Sequence, residues 1–113
     1  MKEIKAIIRP FKLLEVIDEL TKIEDLPGVT VSEIKGFGKS RAKNAPDKIV
    51  YDLVEFIPRT KIELVISDEM VEEVVNVIQK FAHTGNTGDG KIFIYNVEDV
   101  IKIRTNERGE GAI

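Results

Sequence analysis

Two stretches of this chain carry apolar residues at the spacing of one buried helix face. Each stands between short apolar runs with the length and alternation of a strand, and this order limits the fold more than any other feature. The first helical stretch opens at Pro10, where a missing N–H does no harm, and runs through Leu13, Val16, Ile17, Leu20 and Ile23. The second follows Ser67, a good N-cap, with Asp68 and Glu69 in a first turn that complements the helix dipole. Its stripe is Met70, Val71, Val74, Val75, Ile78, Phe81 and Ala82. Strands are expected at about 2–9, at Val29–Gly36 after the Pro27-Gly28 turn, and at Lys91–Val97. Ile49–Ile57 and Lys61–Ile66 read as one long ribbon interrupted at Pro58, and Val100–Arg104 as a short extra strand. The order βαββαβ predicts an α+β fold, a ferredoxin-like split-βαβ sandwich with helices on one face of an antiparallel sheet. Apolar residues on both faces of Ile49–Ile66 predict that the other face is buried by oligomerisation.

A chain of 113 residues makes one domain, 1–113, with a modest core. Isoleucine and valine dominate its apolar set while aromatics are few, as a sheet-centred core requires. With no cysteine, disulfides, thiolate metal sites and cysteine nucleophiles are excluded, and the single His83, read as a surface or helix-end residue, cannot build a multi-histidine metal centre. A net charge of −3 argues against general nucleic-acid binding. No apolar run approaches the length of a membrane span, and the first residues lack an apolar leader, so a cytoplasmic protein without membrane insertion is expected.

Chemistry concentrates in three clusters of cations and glycines. Lys35-Gly36-Phe37-Gly38-Lys39 pairs two glycines, which admit close backbone approach, with two lysines. Thr84–Lys91 holds Gly85, Gly88 and Gly90 before Lys91, a loop whose N–H groups suit phosphate. Lys102 and Arg104 would share one face of the short strand. With Arg59 added, these groups predict an anionic ligand, a nucleotide for preference, although each cluster alone reads as solvated surface charge. Asp89 has two readings, a metal or base contact and a turn cap. No nucleophile elbow or second histidine is present, so no catalytic residue is assigned. The segment Gly38–Lys48, basic and without large apolar residues, reads as an exposed mobile loop.

These residues resemble the PII signal-transduction proteins. The likeness lies in Met1–Leu13, in Val29–Gly38 and in the signature Thr84-x-x-x-Gly88-Asp89-Gly90-Lys91-Ile92-Phe93-Ile94. It continues in Ile101-Lys102-Ile103-Arg104-Thr105 and Glu107-Arg108-Gly109, and so spans the chain except roughly Lys39–Tyr51. The resemblance implies a homotrimer with ATP or ADP bound in clefts between subunits, Mg accompanying ATP, and a target protein (transporter, enzyme or transcription factor) contacted through a T-loop, here 38–58. Residues 105–113 form the tail. By position, the base and ribose would meet Ile7, Gly28, Thr30, Glu63, Leu64 and Val65, with Thr84 nearby. The phosphates would meet Gly36, Phe37, Gly38 and Lys39, the backbone of Gly88, Asp89 and Gly90, and the side chains of Lys91, Lys102 and Arg104.

The chain also departs from that family. Its uridylylated tyrosine aligns with Asp52, while Tyr51 sits one place earlier and would face the other side of a strand; a serine phosphorylated in some members is Val50. Neither modification is carried over. Ser40 replaces a glutamine that helps hold Mg-ATP and 2-oxoglutarate, and Arg59 replaces a lysine that pairs with that effector. The resemblance therefore predicts retained ATP/ADP binding with weakened or absent 2-oxoglutarate sensing. The four cations of Lys39–Lys48 favour an acidic surface or an anion as partner, and Pro46 limits that loop locally. The alternative function is a small ferredoxin-like enzyme acting on nucleotide phosphates, such as a slow ATPase. An RNA-binding module is disfavoured by the acidic balance and by the lack of aromatics in an RNP-like strand pattern.

Overall fold

The computed structural model describes residues 1–37 and 56–113. Its elements are β1 (Lys2–Ile8), α1 (Leu13–Leu20), β2 (Thr30–Gly36), β3 (Ile57–Ile66), α2 (Val71–Ala82) and β4 (Lys91–Asn96). The four strands form one antiparallel sheet in the order β2-β3-β1-β4. This is the βαββαβ sandwich that the periodicity predicts. The basic stretch Gly38–Lys48, the part of the ribbon before Phe56, and Val50, Tyr51 and Asp52 lie outside the described residues.

The core forms because strand and helix periods present matching faces. Ile4, Ala6 and Ile8 of β1 and Ile62, Leu64 and Ile66 of β3 alternate inward, where Val16 and Leu20 of α1 and Val74, Ile78 and Ala82 of α2 cover them. Register fixes the pairing: Ile4 lies opposite Leu64 on one side and Ile94 on the other. Among the described residues, no buried side-chain polar atom lacks a partner.

Several boundaries differ from the sequence expectation. Each helix opens with a 3-10 turn, Pro10–Lys12 and Asp68–Met70. Ser67 has the extended backbone of a cap, but its carbonyl, not its hydroxyl, engages the turn, accepting from the Met70 N–H at 3.1 Å. α1 stops at Leu20, where the Thr21 hydroxyl donates to the Asp18 carbonyl at 2.8 Å; Ile23 stays buried from the turn beyond.

Pro58 does not interrupt the ribbon. β3 runs through it, paired with Lys35 of β2, because β1 has already ended: Ile8, its last residue, pairs with Thr60. The Pro58 carbonyl instead accepts from the Arg59 guanidinium at 3.0 Å.

The second face of the sheet is mixed in character. In the described part of β3 that face carries Arg59, Lys61 and Glu63 between Ile57 and Val65, because alternation along the strand is strict. Opposite them Lys5 lies over the rings of Tyr95 and Phe93, 4.9 and 5.7 Å from their centroids.

Val100–Arg104 is not a strand. Ile101 makes one bridge to Arg108, and the Asn106 and Thr105 N–H groups donate back to the Lys102 carbonyl in a tight turn with Asn106 at φ +62°. The expected common face for Lys102 and Arg104 is therefore lost. Residues after this turn fold back, burying Ala112.

Candidate functional site

All four strands present loop-connected ends at the same edge of the sandwich. β1 and β2 finish there at Ile8 and Gly36; β3 and β4 begin there at Ile57 and Lys91. The glycine loop Thr84–Gly90 spans this edge from the end of α2. Gly85, Gly88 and Gly90 sit at φ +91°, +102° and +100°, a region that side-chain-bearing residues rarely enter. A methyl group at Gly90 would collide with the Ile7 carbonyl oxygen, so loop and strand backbones lie in direct contact.

Asp89 organises the loop. Its carboxylate accepts the Thr84 and Gly85 N–H groups, each at 2.8 Å, and the Thr84 hydroxyl. Arg9 adds its Nε at 2.9 Å and sends Nη2 to the Thr87 carbonyl at 2.8 Å. Of the two readings left open for Asp89, the geometry is that of the turn cap, with both oxygens engaged. These donors hold its carboxyl well below the usual carboxylate range; the Thr84 hydroxyl has the largest effect, then the Thr84 N–H. A carboxyl depressed in the fold stabilises it fully above the unfolded value, about 3.9, and loses that contribution as pH falls through and below it. The stability difference between the protein and Asp89→Asn is thus expected to stay constant above about pH 5 and shrink below about pH 4. Urea unfolding at stepped pH measures it, and a gap unchanged down to pH 2 would contradict the assignment.

Cations rim the loop. A methyl at Gly88 would stand 3.2 Å from Nη2 of both Arg9 and Arg59, so two guanidinium groups converge on this backbone. Arg59 also passes over Gly36, its Cγ lying 3.8 Å from the position of an added Cβ, and so joins the end of β2 to the glycine loop. Lys91 pairs with Ile7 in the sheet. Beneath the loop lies a cavity of about 320 Å³ lined by Ile7, Ile78, His83, Asp89, Gly90 and Lys91, with apolar walls and polar groups at the loop. His83 is the exposed residue that ends α2, as expected, and its ring also borders Gly85.

The structure therefore brings Ile7, Gly36, Arg59, Thr84, Gly88, Asp89, Gly90 and Lys91 to one edge, with Phe37 next to it and exposed. Thr30 and Glu63 form a second group, directly paired in the sheet, with exposed Gly28 just before them. Lys61 lies 3.4 Å from Glu63; burial, and then the Glu63 carboxylate, push the Glu3 carboxyl up. Leu64 is buried in the core, so only its backbone is available at the surface. Val65 follows on the sheet's second face, and β3 here has outrun β2, whose pairing ends at Thr30. Lys102 and Arg104 occupy the C-terminal turn, Lys102 at 3.9 Å from Glu107, and no described hydrogen bond or ion pair links either to the glycine loop. Gly38, Lys39 and Ser40 lie outside the described residues. Arg9 was missed by sequence reasoning. Its position before Pro10, at the end of a strand, was visible, but its partner is 80 residues away.

Comparison with known proteins gives a consistent result. The family model described as "Nitrogen regulatory protein P-II" matches residues 1–107. The chain is 50% identical to the nitrogen regulatory protein P-II of Rhodospirillum rubrum and 47% identical to that of Azospirillum brasilense, each alignment covering the whole of both chains. In structure it is similar to Arabidopsis thaliana PII bound to citrate, with a TM-score of 0.80 and 40% identity over 99% of this chain and 91% of that one.

Proposed function

The chain belongs to the nitrogen regulatory protein P-II family, whose named members are signalling regulators, and on that premise we propose that it binds ATP and ADP competitively and controls a partner protein according to which is bound. The observation that carries this reading is the cradle at Gly88–Gly90. Positive-φ glycines place backbone on the surface without side chains, and Arg9, Arg59 and Lys91 surround it. Such a site fits a polyphosphate: N–H groups supply directed donors and the cations offset charge. The base would lie against Gly28, Thr30, Ile7 and the β3 backbone at Glu63–Val65, where β2 no longer covers the strand.

Among the described residues, Lys102 and Arg104 lie on the C-terminal turn with no hydrogen bond or ion pair to the glycine loop, so the cradle does not draw on them within one chain. A homotrimer that brings a neighbour's groups to the cradle would complete it. Apolar exposure supports association of copies: Ile94 and Ile101 are about half exposed, and Ile103 is 99% exposed. Contact with the target would run through the 38–58 segment, and Mg would accompany ATP.

Calorimetry and sedimentation test the reading together. The protein should sediment as a trimer and bind ATP and ADP in competition, without turnover. Lys91→Ala should weaken ATP by about tenfold, the worth of one lost charge-assisted contact. With Mg-ATP present, 2-oxoglutarate should bind weakly or not at all, given Ser40 and Arg59. Steady nucleotide hydrolysis would favour the enzyme reading instead.

A further inference from the structure

Arg9 is the side chain from outside the loop that bonds Asp89 among the described residues; the other bonds of that carboxylate run to Thr84 and Gly85, within the loop. We infer that Arg9 is a positioning residue for phosphate recognition: through Asp89 and the Thr87 carbonyl it fastens the glycine loop to the end of β1 and holds Gly88–Gly90 in their donor-presenting conformation. This rests on the nucleotide reading above and deepens it.

Three features of the molecule carry the inference. First, the two bonds of the guanidinium fall on either side of Gly88, Nη2 on Thr87 and Nε on Asp89, so one planar group clamps the loop across a positive-φ glycine. The rigid fork of arginine suits such a two-point hold where a lysine would make one contact. Second, a loop with three positive-φ glycines has more freedom than most, and ordering it on binding would cost affinity. A clamp built into the fold by these contacts would reduce that cost. Third, the clamp stands on stiff backbone: Arg9 precedes Pro10, has φ −68° and ψ 136°, and follows the last paired residue of β1. The two side chains are only 20% and 22% exposed, so water competes poorly for their contact.

The test is a double-mutant cycle on the full chain with Arg9→Gln, Asp89→Asn and their combination. ATP and adenosine binding is followed by NMR titration, which reads weak and tight Kd values alike. Arg9→Gln is expected to weaken ATP roughly ten- to hundredfold, as loss of a charged hydrogen-bonded pair does, and adenosine by less than about threefold. Asp89→Asn should give the same pattern, and the double variant should be no worse than the weaker single, since all three open one clamp. Amide exchange at Gly85, Gly88 and Gly90 in the ligand-free variants should accelerate about tenfold, and this readout does not depend on nucleotide. Multiplying losses in the double variant would mean that Arg9 touches phosphate directly and would overturn the inference. So would equal losses for ATP and adenosine, unchanged ATP affinity, or unchanged exchange. If the unsubstituted protein binds neither ATP nor ADP, the nucleotide reading fails, and the inference with it; unaltered wild-type binding beside an unaffected Arg9→Gln sinks the inference alone.

Discussion

Gly90→Ala is expected to destabilise the protein by on the order of 3 kcal/mol, and to weaken ATP at least about tenfold where the fold survives. Two separate costs combine. At φ +100° an alanine is strained whatever surrounds it. Its methyl would also fall on the Ile7 carbonyl oxygen, a backbone atom that no rotamer change can move aside. Ile7 is paired with Lys61 on one side and Lys91 on the other, so β1 cannot yield without breaking the middle of the sheet. The loop must move instead, and with it the N–H groups that suit phosphate. Gly28→Ala is the control: its φ is not positive, no atom lies within 4 Å of the added methyl, and its effect on stability should be under about 0.5 kcal/mol. Urea unfolding of both variants gives the comparison, and a Gly90→Ala loss below about 1 kcal/mol would refute the close approach.

Ile4→Ala should cost about 3–4 kcal/mol, within the range for a fully buried aliphatic side chain in a core that relaxes only in part. Ile4 is 0% exposed and sits on a central strand between Leu64 and Ile94, beneath both helices. Leu64 and Ile94, the neighbours across the sheet that could close the cavity, are each tied to β1 by its ladder, which limits how far they can shift. The urea midpoint should fall while the slope with denaturant holds, because the surface exposed on unfolding hardly changes. A loss under about 1 kcal/mol would mean that the core around β1 is loose enough to refill itself.

How much of this was legible depended on the range of the interaction. The helices could be read because Val74, Ile78 and Ala82 announce their shared face at a spacing of four, a period set within a few residues. The strands could be read in the same way, since their alternation is also set within a few residues. The glycine loop was visible for a similar reason: glycines before a lysine and a strand are a local signal. Pro58 and Val100–Arg104 were misread because their outcome depended on neighbours elsewhere. The proline was harmless only because β1 stops short of it. The cations Lys102 and Arg104 lost their common face because the residues after them fold back to bond the Lys102 carbonyl. That Arg59, Lys61 and Glu63 share the sheet's second face was hidden by the count of apolar residues in the ribbon, which does not say on which side each one falls.

The sequence by itself determined the two helices, most strands, the glycine loop and the family, because local periods and a contiguous signature carry that information directly. Only the tertiary structure decided that Arg9 meets the Asp89 carboxylate, that Arg59 reaches from Gly36 to Gly88, and that Gly90 packs on Ile7. Those contacts join positions far apart in the chain. They exist because sheet register brings the end of β1 against the beginning of β4, a relation that no local pattern of residues encodes.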